Sequence, residues 1–235
     1  MTSQGQDHPR FHGRRHGKPL RPRRAELVAG LLPRLRVPLD AAARPDTLFA
    51  EPPAAVWLEI GFGAGEHLAA QAAAHPDVGF IGCEPFVNGV AALLARIQAE
   101  DLSNIRLHDD DARQLLPALG AASIDRAFVL FSDPWPKRRH HKRRLISPGF
   151  LDALARVLAD GAEFRFASDH MGFVRWTLDL LTRHAAFEWT ARRPGDWRRR
   201  PPDGVETRYE QKALARGAAC VYLSFRRRPR DTAAA

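Results

Sequence analysis

Between Phe128 and Arg144 the sequence FVLFSDPWPKRRHHKRR sets one carboxylate, Asp133, and one tryptophan, Trp135, between an apolar run and six Lys/Arg in eight positions. A tryptophan offers a flat apolar face, the prolines around it stiffen the loop, and the carboxylate accepts hydrogen bonds from a polar edge. The cations from Lys137 onward suit phosphates. A planar base carried on a polyanion satisfies all three demands at once. A solvated charged face is the ordinary reading of such a run, but no acid interrupts this one.

A second constellation precedes it. In LEIGFGAGEHL, Glu59, Gly61, Gly63 and Gly65 alternate along one turn. Glycines where a strand passes into a helix permit left-handed backbone and close approach to a ligand; the plainer alternative is that they only shape a tight turn. The dinucleotide fingerprint G-x-G-x-x-G requires a third glycine where Glu66 stands, and a carboxylate at Glu59 is badly placed beside a pyrophosphate. The spacing therefore favours S-adenosylmethionine, which carries cationic groups and no phosphate, over NAD. Glu84, nineteen residues after Gly65, occupies the position from which an acid bonds ribose hydroxyls; the plainer alternative is a solvated acid at a helix start. Of the acids in HDDDARQLL, Asp111 either caps the following helix or meets an adenine amino group.

These residues need strand ends to position them. VWLEI (56–60), VGFIGCE (78–84), NIRLH (104–108), DRAFVLF (125–131) and AEFRFAS (162–168) are short apolar runs, separated by Ala/Leu-rich segments of helical spacing. The alternation predicts an α/β fold with a mainly parallel sheet, helices on both faces and ligands at the carboxyl ends of the strands. MGFVRWTLDLLTRHA reads as a helix, and FEWTAR and CVYLSFRR as closing strands.

At 235 residues and 45% hydrophobic content the chain suits one main domain. Residues 1–24 hold seven Lys/Arg against one Asp and are expected to form a mobile basic arm, with the domain running from 25 to 235. The net charge of +9 implies a polyanionic partner, nucleic acid or an acidic membrane surface. Cys83 and Cys220 form no metal-ligand spacing or disulfide framework, and no apolar run of membrane length occurs. A cytoplasmic protein without metal or membrane partner is expected; the oligomeric state is left open.

Together LEIGFGAGEHL, FSDPWPKRRHHKRRL, ASDH and TRYEQKALARG resemble the bacterial tRNA (guanine-N7-)-methyltransferase family over most of the chain after Phe11. The resemblance implies a Rossmann-like class I methyltransferase that uses S-adenosylmethionine and acts on guanosine 46 in the tRNA variable loop. It puts Glu59, Glu84, Asp111 and Asp133 on cofactor-contacting positions beside Gly61 and Gly63, with Asp133 also catalytic. Lys137, Asp169, Thr207, Arg208, Tyr209 and Glu210 fall on substrate-contacting positions, and Arg139, Arg143 and Arg144 in the tRNA-contacting run. Ser132, Pro85 and Asp110 depart from the family pattern, and Asp110 leaves open which acid meets adenine. From spacing alone TRYE is a helix start with a capping box. RRPGDWRRR (192–200) and RRRPR (226–230) either add phosphate contacts or are solvated. Two other classes fit part of the pattern. A non-catalytic RNA-binding module explains the charge but not Glu59 and Glu84; an NAD-dependent oxidoreductase explains the glycines but not Glu66 or the basic block. A methyltransferase aimed at another base atom is the nearer alternative.

Overall fold

The computed structural model describes residues 12–230; residues 1–11 of the expected arm and residues 231–235 lie outside the described residues. In chain order the elements are α1 (Pro22–Gly30), α2 (Leu32–Leu35), β1 (Ala55–Ile60), α3 (Glu66–Ala74), β2 (Val78–Cys83), α4 (Val87–Glu100), β3 (Ile105–His108) and α5 (Ala112–Ala118). They continue with β4 (Ile124–Leu130), α6 (Pro148–Val157), β5 (Leu158–Ser168), α7 (Met171–Arg183), β6 (Phe187–Trp189), α8 (Gly195–Arg198), α9 (Arg208–Ala215) and β7 (Val221–Arg227). The basic block forms a 3-10 helix, Arg138–Arg143.

The seven strands lie in the order β3-β2-β1-β4-β5-β7-β6. The first five run parallel, while β7 is antiparallel to β5 and β6 antiparallel to β7. The mainly parallel sheet expected from the alternating pattern is therefore present. The chain walks outward from β1 to β3 and returns to place β4 beside β1. This reversal opens a crevice at the carboxyl ends of β1 and β4, the place where such sheets bind ligands.

Burial on both faces explains the apolar runs: all six residues of β2 are buried. One core cluster, with Phe150, Phe164, Phe166 and Phe173, packs beneath α5 to α7; the other, with Phe80, Leu93 and Leu94, packs beneath α1, α3 and α4. The outer edge of β3 is covered where the Val37 N–H donates to the Leu107 carbonyl at 2.8 Å.

Three boundaries differ from expectation. β5 begins at Leu158 rather than Ala162, passing through Gly161 at φ +82°. β4 ends before Phe131, which turns left-handed at φ +53°. The first helix starts at Pro22, three residues before Ala25, because proline fits the first helical turn. Residues 12–21 also differ from a mobile arm. The Arg15 carbonyl accepts the Val87 N–H at 2.9 Å, Arg15 pairs with Asp110 at 2.6 Å, and the Asn88 amide bonds both Gly17 and Lys18. Composition hides these contacts because their partners lie about seventy or more positions away along the chain.

Candidate active site

Above the β1/β4 reversal lies a cavity of about 710 Å³, walled by the glycine turn, Glu84, Asp111, Asp133, Trp135 and Arg143. Gly63, at φ +58°, brings its backbone to the wall. A neighbouring glycine that the sequence did not flag makes this possible: a Cβ at Gly89, in the first turn of α4, would lie 2.2 Å from the Gly63 carbonyl oxygen. The Gly63 N–H donates to Glu84 Oε2 at 2.8 Å and the Phe86 N–H to Glu84 Oε1 at 3.0 Å. Burial nevertheless raises the Glu84 carboxyl to about 7, with the charges of Asp133 and Glu59 adding to the rise against those two hydrogen bonds. A carboxylate so placed is stabilised by any further hydroxyl donors that enter the cavity.

The same contacts weigh against a pyrophosphate at the turn. In a dinucleotide site the turn's N–H groups and the helix N-terminus face a pyrophosphate. Here the Gly63 N–H is given to a carboxylate, and Glu66 is the first residue of α3. The site fits a nucleoside without phosphate.

Of its two expected roles Asp111 performs the cap. It caps α5, accepting the Arg113 N–H at 3.0 Å and pairing with the Arg113 guanidinium, yet it remains on the cavity wall. Asp110 instead turns to Arg15. Glu59 departs from expectation: it is buried and bonded to His67 Nδ1 at 2.7 Å, beneath the turn and not on the cavity wall. As the fifth residue of β1 its side chain shares a sheet face with Trp57, and α3 supplies His67 as the polar partner that a buried acid requires.

Asp133 and Trp135 stand on the loop after β4. Phe131 and Trp135 both take left-handed φ, +53° and +43°, which costs roughly 1–2 kcal/mol for each non-glycine residue and aims the side chains between them. Asp133 is exposed at the cavity, but the protein crowding it reduces hydration and raises its carboxyl above the usual range; Arg14 partly offsets this. The Arg143 guanidinium lies 5.0 Å from the Trp135 ring centroid. Lys137 and Arg139 are exposed.

Arg144 is a correction. It is 5% exposed, donates through Nε to the Pro134 carbonyl at 2.9 Å, and packs over Phe173 and Trp176. Its charge fastens the DPWP loop to α7 and is not offered to a phosphate. The tail behaves alike: Arg227, Arg228 and Arg230 bond backbone carbonyls around Ala155, Phe187 and Leu158.

The segment 207–210 divides. Thr207 caps α9 by accepting the Glu210 N–H at 3.2 Å, so half of the capping box forms. Glu210, 2% exposed, instead accepts a hydrogen bond from Tyr222, whose hydroxyl is raised by burial and by that same carboxylate and so stays protonated. Thr207 and Glu210 line a separate cavity of about 40 Å³, whereas Tyr209 is exposed, lines the large cavity and lies against Gly63. Arg208 reaches toward Glu66 at 4.0 Å, and Asp169 pairs with Arg216 at 2.6 Å.

Two further features are placed by tertiary contacts. Residues 12–14 line the large cavity. Asp203, in what reads as a PPDG turn, bonds Arg165 at 2.8 Å and Arg126 at 3.3 Å, while its carbonyl accepts from Gln71 of α3 at 2.6 Å. It clips the loop ahead of α9 to the sheet and to the helix of the glycine turn. Among the described residues no group of three His, Cys, Asp or Glu could hold a metal ion, and no helix is long and apolar enough to cross a membrane.

A family profile described as "Putative methyltransferase" matches residues 53–223. The chain is 55% identical to a tRNA (guanine-N(7)-)-methyltransferase of Rhodospirillum rubrum, over 98% of this chain and 92% of that one. It belongs to the tRNA (guanine-N7-)-methyltransferase family. A second member, from Rhizobium meliloti, is 52% identical over 92% of this chain and 94% of its own. Among solved structures, the 16S rRNA methyltransferase KamB superposes with a TM-score of 0.56 at 17% identity, covering 75% of this chain and 89% of that one. An rRNA methylase from Streptococcus thermophilus gives 0.52 at 11% identity, covering 74% and 87%. At these identities they show the fold alone: a methyltransferase sheet.

Proposed function

We propose that the protein transfers a methyl group from S-adenosylmethionine to N7 of a guanine in tRNA, at guanosine 46 of the variable loop. The near-full-length kinship to enzymes of that name carries this reading, and the Asp133/Trp135 loop at the cavity supplies its chemistry. When bound, S-adenosylmethionine supplies an electrophilic methyl group on a sulfonium centre. Glu84 takes the sugar hydroxyls, Asp111 the adenine edge, and the backbone at Gly61 and Gly63 accommodates the methionine chain on the far side of the sugar. Glu59, fixed by His67, contributes negative potential from below the turn.

Guanine N7 is an unprotonated lone-pair acceptor, so nothing need be deprotonated before attack. Positioning dominates. Trp135 offers the face on which the base stacks, Tyr209 closes the opposite side, and the cations of Lys137, Arg139 and Arg143 hold neighbouring phosphates. Asp133 orients the base and stabilises the positive charge that passes to the purine. Asp169, Thr207, Arg208 and Glu210 frame the base edge, and reaching Thr207 and Glu210 requires the small cavity to open. The enzyme works in the cytoplasm, where tRNA is abundant. Mass spectrometry of nucleosides from tRNA incubated with the protein and S-adenosylmethionine should find 7-methylguanosine; a different methylated nucleoside, or none, would reject the assignment.

A further inference from the structure

We infer that the turn carrying Arg192, Arg193, Arg198 and Arg199 is a second RNA-docking surface that grips tRNA phosphates independently of the block after β4. This rests on the tRNA reading given above. All four side chains are exposed, and the single acid among them, Asp196, is spent internally. Asp196 Oδ2 accepts the N–H groups of Arg192 and Arg193 at 2.9 and 3.1 Å, and Oδ1 takes the Arg193 guanidinium at 3.2 Å. The turn is anchored from beneath by Trp197, whose ring lies 5.3 Å from that of Trp189, itself stacked on Phe225 of β7. Arginines on a turn held in this way lose less conformational freedom on binding than arginines on a loose tail.

Topology brings the turn to the site. β6 is antiparallel to β7, which is antiparallel to β5, so the chain leaving β6 heads toward the same sheet edge as the chain leaving β4. Asp196 and Arg200, at the base of the turn, line the small cavity together with Phe131, Thr207 and Glu210. β4 and β6 are three strand positions apart, about 14 Å at the usual strand spacing. The site is thus bordered by two basic surfaces, and a polyanion delivering one base to it can contact both. A membrane partner fits less well, because the tryptophans that would enter a lipid interface are packed inward on each other while the guanidinium groups face out.

The test is the double variant Arg198→Gln/Arg199→Gln beside Arg139→Gln, with tRNA affinity followed over a salt series and S-adenosylmethionine affinity measured in parallel. Removing two phosphate contacts should make the log–log salt slope shallower by about 1.5 and weaken binding roughly tenfold at low salt, with cofactor affinity and melting temperature unchanged. Wild-type affinity and slope in the double variant, while Arg139→Gln loses both, would overturn the second surface and leave the tRNA reading standing. Absence of tRNA binding by the wild-type protein would overturn both. Loss of binding to phosphatidylserine vesicles with tRNA binding intact would assign the turn to a membrane instead.

Discussion

On one wall of the cavity Glu84 and Asp111 are held by backbone N–H groups of Gly63, Phe86 and Arg113, in a buried setting built from strand ends and helix starts. On the facing wall Asp133 is exposed, without such a cradle, on a loop that turns left-handed at Phe131 and Trp135. The first wall is prepared for a ligand of fixed shape. The second stores strain in the loop, and Arg144 keeps it in place by tying the Pro134 carbonyl to α7. The contrast fits the division of labour proposed above, in which the sheet edge would bind the methyl donor and the strained loop would present the acceptor.

The largest effect should come from the loop. Asp133→Ala is expected to lower kcat by about 10²- to 10³-fold, as removal of a preorganised electrostatic group does, while tRNA affinity measured by direct binding stays close to wild type. Equal losses in tRNA affinity and turnover would erase the distinction between the walls. Glu84→Ala should act in the opposite sense, weakening S-adenosylmethionine by about 1.5–3 kcal/mol in calorimetry, the range for hydrogen bonds to a charged group, with little change in tRNA binding.

Glu84 also gives the prepared wall a pH signature. Its folded-state carboxyl is raised from 4.5 to about 7, so the folded protein binds more protons than the unfolded chain between those values. The associated stability is complete below pH 4.5 and is lost as pH rises through 7, about 3 kcal/mol in all. Denaturation of ligand-free protein across that window should reveal the slope, and Glu84→Gln should flatten it. Donor affinity should rise over the same interval as the carboxylate becomes the acceptor for the sugar hydroxyls.

Next in size is the fastening of the loop. Arg144→Ala is expected to cost about 1–3 kcal/mol in chemical denaturation, because it strands a buried carbonyl, whereas Arg139→Ala should leave stability unchanged and weaken tRNA. The smallest effect is expected of Asp203→Asn. Loosening the clip to Arg165 and Arg126 should cost roughly 1 kcal/mol, read as a higher KM for tRNA at unchanged donor affinity, with Asp203→Glu closer to wild type.

The two walls also differ in how far they could be read in advance. The glycine turn, Glu84 and Asp111 follow from spacing within a strand–turn–helix unit, where local sequence and local structure coincide. The mainly parallel course of the sheet was legible for the same reason, but the order of its strands was not. Glu59 and Arg144 were not. Each belongs to a recognisable motif, but its direction is set by a partner elsewhere, His67 in one case and the Phe173/Trp176 face in the other. Arg227, Arg228 and Arg230 make the point from the other side, since a run that reads in sequence as phosphate-binding or solvated places these three guanidinium groups on backbone carbonyls. Asp203 had no signature to find, and the segment 12–18, though inside the stretch that resembles the family, owes its placement to tertiary contacts that the sequence does not show.

The measurement that bears most directly on the division of labour uses a tRNA carrying 7-deazaguanosine at the methylated position, which replaces N7 by carbon and keeps the Watson–Crick edge and exocyclic amine. If Asp133 and Trp135 present an N7 lone pair that needs no base, methyl transfer to that nucleotide should vanish while the tRNA still binds. Continued transfer to the 7-deaza nucleotide would contradict the account: the acceptor would then be the amine or N1, and Asp133 would have to serve as a general base.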